Sequence, residues 1–327
     1  MLDDNTLRQA ALHALSAWDL EVDSVAFFSQ SENIVLRTET STGAYALRLH
    51  RPGYHSLEEL NSEILLHDMV RAAGLETPTA LKTQDGQYYT QIEMPHSGET
   101  RYAGLSRWMS GTVMEAFIES SPDAATRRAY FQQLGRLMAT LHNYAAKWTP
   151  PPQFVRHRLD EYGLAGTTPF WGRFWEASPA SSSQRVILET ARRDLFEFLS
   201  ALDKGPERFN VIHADLHAGN TLIDGDQVTI FDFDDAGFGW FLYDVATALY
   251  DSWYEEDDYQ NTLAAVIEGY AEQRPFTDEM RETLPNFLLI RMLAYIGWLN
   301  DRPETTGYSE LPELIAGACE RASEIFT

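Results

Sequence analysis

The chain has 327 residues, of which 44% are hydrophobic and 12% aromatic, so it can bury a substantial core. Its length exceeds the roughly 250–300 residues at which a single core stops growing, which favours two lobes. Lys and Arg total 25 against 49 Asp and Glu, and the net charge of −24 disfavours nucleic-acid and membrane partners.

The cysteine content and the N-terminal segment predict the cellular compartment. The single cysteine, Cys319, cannot form an internal disulfide or a thiol metal cluster. The first residues, MLDDNTLRQA, lack a basic segment followed by an apolar run, and no stretch approaches 18 uninterrupted apolar residues. These features predict a cytoplasmic protein, and they leave its oligomeric state open.

The first hundred residues predict strands, a helix and further strands. After a short helical start, the segments VDSVAFF, NIVLRTET and YALRLHR are rich in strand-forming residues and predict a meander. The segment SLEELNSEILLHDMVRAAGL predicts a helix, because Ser56 and Glu59 have the spacing of a capping box. Next, TALKTQDGQYYTQIEM predicts two strands that meet at the Asp85-Gly86 turn.

Helical patterns dominate from Gly104 to the end of the chain, as in DAATRRAYFQQLGRLMATLHNYA. The sequence therefore predicts a first lobe over residues 1–104 and a mostly helical second lobe over 105–327. The segment 149–183 interrupts this pattern and is rich in Pro, Gly, Ser and Trp. It is either a connection that contacts a ligand or an aromatic loop packed over the helical lobe.

The octet HADLHAGN, residues 213–220, concentrates polar side chains between two predicted strands. The apolar run FNVI precedes it, and residues 221–223 and 228–231 predict a hairpin across Asp224-Gly225. A second polar cluster, DFDD, leaves this hairpin at Asp232. We expect both clusters to lie at the same end of neighbouring strands.

These residue types suit phosphoryl transfer from a nucleotide. An aspartate such as Asp215 can accept a hydroxyl proton, and Asn220 and Asp232 can offer a neutral and a charged oxygen to Mg²⁺. One base together with an Asn/Asp pair for Mg²⁺ is what this reaction requires, because its catalysis is chiefly positioning and charge neutralisation.

The order His213-x-Asp215-x4-Asn220, with Asp232 after a hairpin, resembles the aminoglycoside phosphotransferase and choline kinase-like family. Within it, the second half is most similar to bacterial phosphotransferases grouped with type II homoserine kinases and the stress-response protein kinase. The resemblance implies an α+β, bilobal protein-kinase-like fold, with an N-terminal antiparallel sheet plus helix and a mostly helical C-terminal lobe.

The resemblance also implies roles for individual residues. Asp215 would be the base that aligns the acceptor hydroxyl, and Asn220 and Asp232 would bind the metal. Asp244, in FLYDVATALY, would hold the backbone of the catalytic loop, although an ordinary acid near a helix N-terminus is the alternative. His213 would brace the same loop.

A transition-metal site is the competing interpretation of the octet. His213, Asp215 and His217 alternate along the chain and would share one face of a strand, and imidazole is a common zinc ligand. This interpretation gives Asn220 and Asp232 no role, so phosphoryl transfer is the stronger hypothesis.

The loop at residues 29–33, SQSEN, is the candidate phosphate-binding turn of the first lobe. It contains no glycine, so its backbone cannot approach phosphate as closely as a glycine-rich loop does. Ser29, Ser31 and Asn33 can donate hydrogen bonds instead. A plain turn is the alternative.

Arg48, in YALRLHR, is the candidate phosphate-binding cation, where most kinases carry a lysine with different binding geometry. Glu63 is its expected helical partner, and Glu59 is the rival. A surface arginine on a strand is the alternative for Arg48.

Together these features predict an ATP- and Mg²⁺-dependent kinase that moves the γ-phosphate directly to a hydroxyl of a small-molecule acceptor. The lobe 1–104 would bind the nucleotide, and the lobe 105–327 would carry the catalytic residues and bind the acceptor. A stress-response type Ser/Thr protein kinase and a catalytically weak nucleotide-binding scaffold are the alternatives. The acidic run YEEDDY at 254–259 would suit a cationic acceptor, or it is a solvated face.

Overall fold

The computed structural model describes residues 4–120, 122–255 and 258–326, which form two compact units. One unit contains the chain up to Ser110 together with Pro150–Val155, and the other contains Gly111–Thr149 and the chain from Arg156 onward. Residue 104, where the sequence analysis ends the first lobe, lies within the strand Thr100–Arg107. The division of nucleotide and acceptor binding between 1–104 and 105–327 stays a prediction.

The first unit is an antiparallel sheet with two helices. Its elements are α1 (Asp4–Leu15), β1 (Val22–Gln30), β2 (Ile34–Thr40), β3 (Gly43–Leu49), α2 (Leu57–Ala72), β4 (Tyr89–Glu93) and β5 (Thr100–Arg107). The sheet order is β1-β2-β3-β5-β4, and all neighbours are antiparallel. The predicted meander and helix are confirmed.

The core of this unit lies between α1 and one face of the sheet. Alternate residues of β2 and β3, among them Leu36 and Leu47, are buried because strand side chains point to opposite faces in turn. Leu7 of α1 and Trp18 join the same cluster. Burial of this apolar face fixes the register of β3 and so the position of Arg48.

The predicted pair of strands about Asp85-Gly86 is wrong. A turn does form there, with Gly86 at φ 83°, but β4 pairs with β5 instead of with the residues before the turn. The Thr83 hydroxyl accepts a hydrogen bond from the Gln87 N–H at 3.1 Å and donates to the Gln87 carbonyl at 2.9 Å. Beyond this turn the residues on both sides pair with β5 and not with each other: the Leu81 N–H donates to the Leu105 carbonyl at 2.8 Å, and Tyr89 of β4 lies opposite Gly104.

The second unit is mostly helical, as predicted. Its strands are β6 (Thr112–Val113), β7 (Arg158–Leu159), β8 (Phe209–Ile212), β9 (Thr221–Asp224), β10 (Gln227–Ile230) and β11 (Gly237–Trp240). Its helices are α3 (Met114–Glu119), α4 (Ala124–Ala145), α5 (Glu161–Ala165), α6 (Ser182–Ala201), α7 (Phe241–Tyr254), α8 (Tyr259–Ala271), α9 (Asp278–Asn300) and α10 (Leu311–Phe326). The strands form two small sheets, β10-β9-β6 and β7-β11-β8. Across the described ranges, no helix is both long and apolar enough to span a bilayer.

The aromatic part of the 149–183 segment packs within the second unit. Trp171 and Phe174 are 5% and 1% exposed, and Trp171 stacks on Tyr243 of α7 with 6.0 Å between ring centroids. The backbone at Gly172 lies against Gly297 of α9. Of the two interpretations of this segment, packing over the helical lobe is the one observed for these aromatic residues.

Two glycines allow α4 and α8 to approach closely. A Cβ atom on Gly269 of α8 would lie 1.8 Å from the Gln132 carbonyl oxygen, and one on Gly135 of α4 would lie 2.1 Å from the Val266 oxygen. Neither partner is a flexible side chain, so any added methyl group would push the two backbones apart.

The variant Gly269→Ala is therefore expected to lower the free energy of unfolding by about 1–3 kcal/mol. Thermal denaturation of this variant beside Ala271→Gly, at the exposed end of the same helix, measures the effect. Ala271→Gly changes only helix propensity and should cost about 1 kcal/mol or less. An unchanged melting temperature for Gly269→Ala would show that the close approach is absent in solution.

Candidate functional site

The octet forms a loop between β8 and the hairpin of β9 and β10. Thr221 pairs with Ile230, so the hairpin begins and ends at the same level. Just outside it, the Phe231 N–H donates to the Asn220 carbonyl at 3.1 Å. This bond places Asp232, the next residue, beside the end of the octet. The expected arrangement of the two polar clusters is confirmed.

A buried carboxylate holds the start of this loop. Asp244 of α7 is 0% exposed; its Oδ1 accepts the Ala214 N–H at 2.7 Å and its Oδ2 accepts the His213 N–H at 3.0 Å. Ala214 has φ 68°, a left-handed conformation that costs a non-glycine residue about 1 kcal/mol or more. The two charge-assisted hydrogen bonds offset that cost.

His142 of α4 holds Asp244 in turn. Its Nε2 lies 3.0 Å from Asp244 Oδ2, and its Nδ1 lies 2.9 Å from the Tyr270 hydroxyl. A neutral ring protonated at Nε2 satisfies both contacts, because Nε2 then donates to the carboxylate and Nδ1 accepts from the hydroxyl. Burial lowers the pKa of His142 below its usual 6.5 more than the bond to Asp244 raises it.

His213 uses both ring nitrogens inside the loop. Its Nε2 lies 3.0 Å from the Phe231 carbonyl oxygen, and its Nδ1 accepts the Asp215 N–H at 3.4 Å. The ring is buried against Phe233. His213 therefore braces the loop, and neither nitrogen is available to the zinc site of the competing interpretation.

The Asp215 carboxylate is held through both oxygens. Its Oδ1 accepts a hydrogen bond from Nη2 of Arg291 at 2.7 Å, and its Oδ2 accepts one from Nδ2 of Asn220 at 2.8 Å. His217 Nε2 lies 3.4 Å from the same Oδ2. Burial tends to raise the pKa of Asp215, but the charges of Arg291 and His217 hold it well below its usual 3.8. The Asp215 carboxylate is therefore ionised and held in one orientation, and it can accept a hydrogen bond from a substrate hydroxyl.

Asn220 and Asp232 offer oxygens to a hard cation. Asn220 Nδ2 donates to the backbone oxygen of Asp215 as well as to its carboxylate, and within the described ranges no hydrogen bond uses Asn220 Oδ1. Asp232 has φ 63°, so the chain turns sharply at this residue. Buried Arg156 donates to the carbonyls of Phe233 and Asp234 at 2.9 and 3.0 Å and so fixes the chain after Asp232. An amide and a carboxylate oxygen fit Mg²⁺.

A cluster beside Asp215 was missed by the sequence analysis. Ligand atoms of Glu115, His217 and Asp251 lie within 4.8 Å of one another, and both carboxylates are exposed. Burial lowers the pKa of His217, but the charge of Asp215 outweighs it, so this pKa is raised above 6.5. His217 Nδ1 accepts the Gly219 N–H at 3.1 Å and its Nε2 lies 3.4 Å from Asp215 Oδ2, so both ring nitrogens are engaged within the loop and the cluster offers a ligand its two carboxylates. Of the acidic run at 254–259, residues 256–257 lie outside the described residues.

In the first unit, Arg48 and Glu63 form an ion pair with 3.0 Å between Nη1 and Oε1. The Glu63 side chain is only 4% exposed. The rival Glu59 is engaged elsewhere, because its carboxylate accepts the Ser56 N–H at 2.8 Å as part of the predicted capping box. The structure thus pairs Arg48 with the expected acid.

The SQSEN loop divides into exposed and buried members. Ser29 and Ser31 are exposed, whereas Asn33 is only 7% exposed and its Oδ1 accepts the Arg51 N–H at 3.1 Å. That contact favours a bracing role for Asn33. The Ser29 and Ser31 hydroxyls are exposed together with the Gln30 side chain, and the role of the serines in phosphate binding stays a prediction.

The buried His142 makes stability depend on pH. The unfolded chain takes up a proton near the usual pKa of 6.5, whereas the folded chain resists protonation of His142, so stability falls as the pH drops below about 6.5. His142→Gln keeps one donor and one acceptor but cannot titrate. As the pH falls from 7.5 to 5.5, the free energy of unfolding of the wild type should decrease by up to about 1.4 kcal/mol per pH unit more than that of this variant. Equal losses in denaturant titrations would contradict the assignment.

Comparison with known proteins gives the family. The sequence model of the phosphotransferase enzyme family (APH) matches residues 25–282. Amicoumacin kinase of Bacillus subtilis is 23% identical over 325 residues, covering 94% of this chain and 90% of its own length. Homoserine kinase of Pseudomonas aeruginosa is 28% identical over 310 residues, covering 90% and 86%.

Solved structures with the same fold include a microcompartment-associated aminopropanol kinase, with 28% identity, a TM-score of 0.83 and coverage of 98% and 97% of the two chains. Another is the amicoumacin kinase hAmiN in complex with AMP-PNP, Ca²⁺ and Ami, with 19% identity, a TM-score of 0.78 and coverage of 99% and 94%. The predicted protein-kinase-like α+β fold is confirmed. This chain belongs to the phosphotransferase enzyme family and is a kinase for small-molecule hydroxyl groups.

Proposed function

We propose that this protein transfers the γ-phosphate of ATP directly to the acceptor hydroxyl, with Asp215 as base and Asn220 and Asp232 as Mg²⁺ ligands. The observation that supports this most strongly is the 2.8 Å contact between Asn220 Nδ2 and Asp215 Oδ2. This contact fixes the carboxylate beside an amide whose own oxygen remains available to a cation.

The electrostatics suit a base that positions the hydroxyl rather than one that removes its proton early. An aspartate with a lowered pKa is a weak proton acceptor, but phosphoryl transfer passes through a loose transition state in which the proton leaves late. Bound Mg²⁺ would neutralise charge on the phosphates. In the first unit, Arg48, oriented by Glu63, and the Ser29 and Ser31 hydroxyls would bind phosphate oxygens.

Two carboxylates beside His217 favour an acceptor that carries an amine. Glu115 and Asp251 are both exposed, and their oxygens lie within 4.8 Å of a His217 ring nitrogen. Because the charge of Arg291 is paired with that of Asp215, the carboxylates of Glu115 and Asp251 leave a net negative charge around a bound acceptor. A negative charge there suits an ammonium group. Aminopropanol, the acceptor of the microcompartment-associated kinase with the same fold, carries such an amine.

Asp215→Asn is expected to lower kcat for phosphate transfer by about 100- to 10,000-fold, because the amide cannot accept the hydroxyl proton. The assay measures Mg²⁺-dependent ATP consumption over a panel of amino alcohols, aminoglycosides, sugars, amino acids and Ser/Thr peptides. Asp226→Asn, in the exposed hairpin turn, is the matched control and should behave as the wild type. Nucleotide binding without turnover on any acceptor would favour the scaffold, and turnover on peptides alone would favour a protein kinase.

Asp251→Asn is expected to raise KM for an amine-bearing acceptor about tenfold, equivalent to about 1.4 kcal/mol of binding free energy. The comparison of 1-amino-2-propanol with 1,2-propanediol isolates the amine, because these molecules differ only at that group. KM for the diol should stay the same. Glu197→Gln, an exposed acid on α6, controls for the lost charge. A wild-type enzyme that does not prefer the amine would contradict the acceptor assignment.

A further inference from the structure

Arg291 is a charged residue in an apolar setting for which the sequence analysis offered no role. It lies in α9 between Ile290 and Met292, which are 2% and 0% exposed, and its own side chain is 13% exposed. A guanidinium in such a place needs a compensating partner, because an isolated buried charge is strongly unfavourable. The partner is the Asp215 carboxylate, 2.7 Å away.

We propose that Arg291 is a positioning residue that fixes the orientation of the Asp215 carboxylate for the incoming acceptor hydroxyl. The inference rests on the proposed role of Asp215 as the base. The terminal torsion of an aspartate is broad, so one hydrogen bond leaves the carboxylate free to rock. Asn220 holds Oδ2 from within the loop, and Arg291 holds Oδ1 from a long packed helix. Two anchors on different elements define one orientation.

A purely structural ion pair explains the arrangement less well. Replacement of a buried ion pair by apolar residues of similar size often leaves the stability of a protein unchanged or raises it. Stability alone therefore does not account for an arginine at this position of α9. Every neighbour of Arg291 along the helix is apolar, from Phe287 to Leu293. The charge is accounted for by the carboxylate that it contacts.

The hydrogen bonding of Arg291 also differs from that of a structural arginine in the same unit. Arg192 of α6 is 14% exposed, and its Nε, Nη1 and Nη2 all donate, to Glu189 and to the Ala165 carbonyl. In contrast, the buried Nε–H of Arg291 donates to none of the described residues. A guanidinium placed for structure alone usually has its donors satisfied. The carboxylate that Arg291 contacts is that of Asp215, through Nη2, and the Tyr243 hydroxyl is another polar neighbour.

A double-mutant cycle tests the proposal, because a residue that acts through Asp215 has nothing to contribute once that carboxylate is gone. In the wild-type background, Arg291→Met should lower kcat about 100-fold and leave KM for ATP unchanged. In the Asp215→Asn background, the same change should lower the residual kcat less than about threefold. Arg291→Lys, which keeps the charge but has a single donor nitrogen in place of the guanidinium fork, should recover part of the loss.

Controls separate positioning from folding. Arg192→Met removes a guanidinium of similar exposure and should leave kcat unchanged, and the melting temperature is measured for every variant. If Arg291→Met does not fold, the cycle is repeated with Arg291→Gln. Equal losses of kcat in both backgrounds, or a loss that simply follows the melting temperature, would overturn the role of Arg291. Near-normal kcat in Asp215→Asn alone would instead overturn the proposed function.

Discussion

The site of the second unit depends on one buried carboxylate. Asp244 accepts the backbone N–H groups of His213 and Ala214 and holds Ala214 in a left-handed conformation. This conformation turns the chain directly after β8, so that Asp215 lies at the edge of the core. Because a buried carboxylate without hydrogen bonds is costly, Asp244 and the loop stabilise each other. His142 completes the network with its neutral ring.

The other contacts of the site build on the loop that Asp244 holds in place. His213 ties the loop to the Phe231 carbonyl, and the Phe231 N–H ties the end of the hairpin to Asn220. The same loop presents Asp215, which Asn220 anchors through one oxygen. The carboxylate therefore needs no large movement before it meets a hydroxyl, and such preorganisation lowers the barrier when catalysis is chiefly positioning.

The sequence predicted those parts of the site that lie close together along the chain. The interval from Asp215 to Asn220, the hairpin and Asp232 follow from local turn and strand signals, and the pairing of Arg48 with Glu63 follows from a strand followed by a capped helix. His142 escaped notice because it reaches the site from α4, far away in the sequence, and Asp251 because no local motif distinguishes it from other acids, although it shares α7 with Asp244. Arg291 left one signal, a lone charge in an apolar helical run, but no local pattern identifies its partner. The prediction of a strand pair at Asp85-Gly86 was wrong because the residues on both sides of that turn pair with β5, which comes later in the chain.

The central claim is that a fixed carboxylate at Asp215 directs one in-line transfer from ATP to the acceptor. The stereochemistry at phosphorus tests it most directly, with ATP made chiral at the γ-phosphorus by oxygen isotopes and an acceptor identified in the screen. A single direct displacement inverts the configuration, so the phosphorylated acceptor should show inversion. Retention would reveal two successive displacements through a phosphorylated enzyme and would contradict the role given to Asp215.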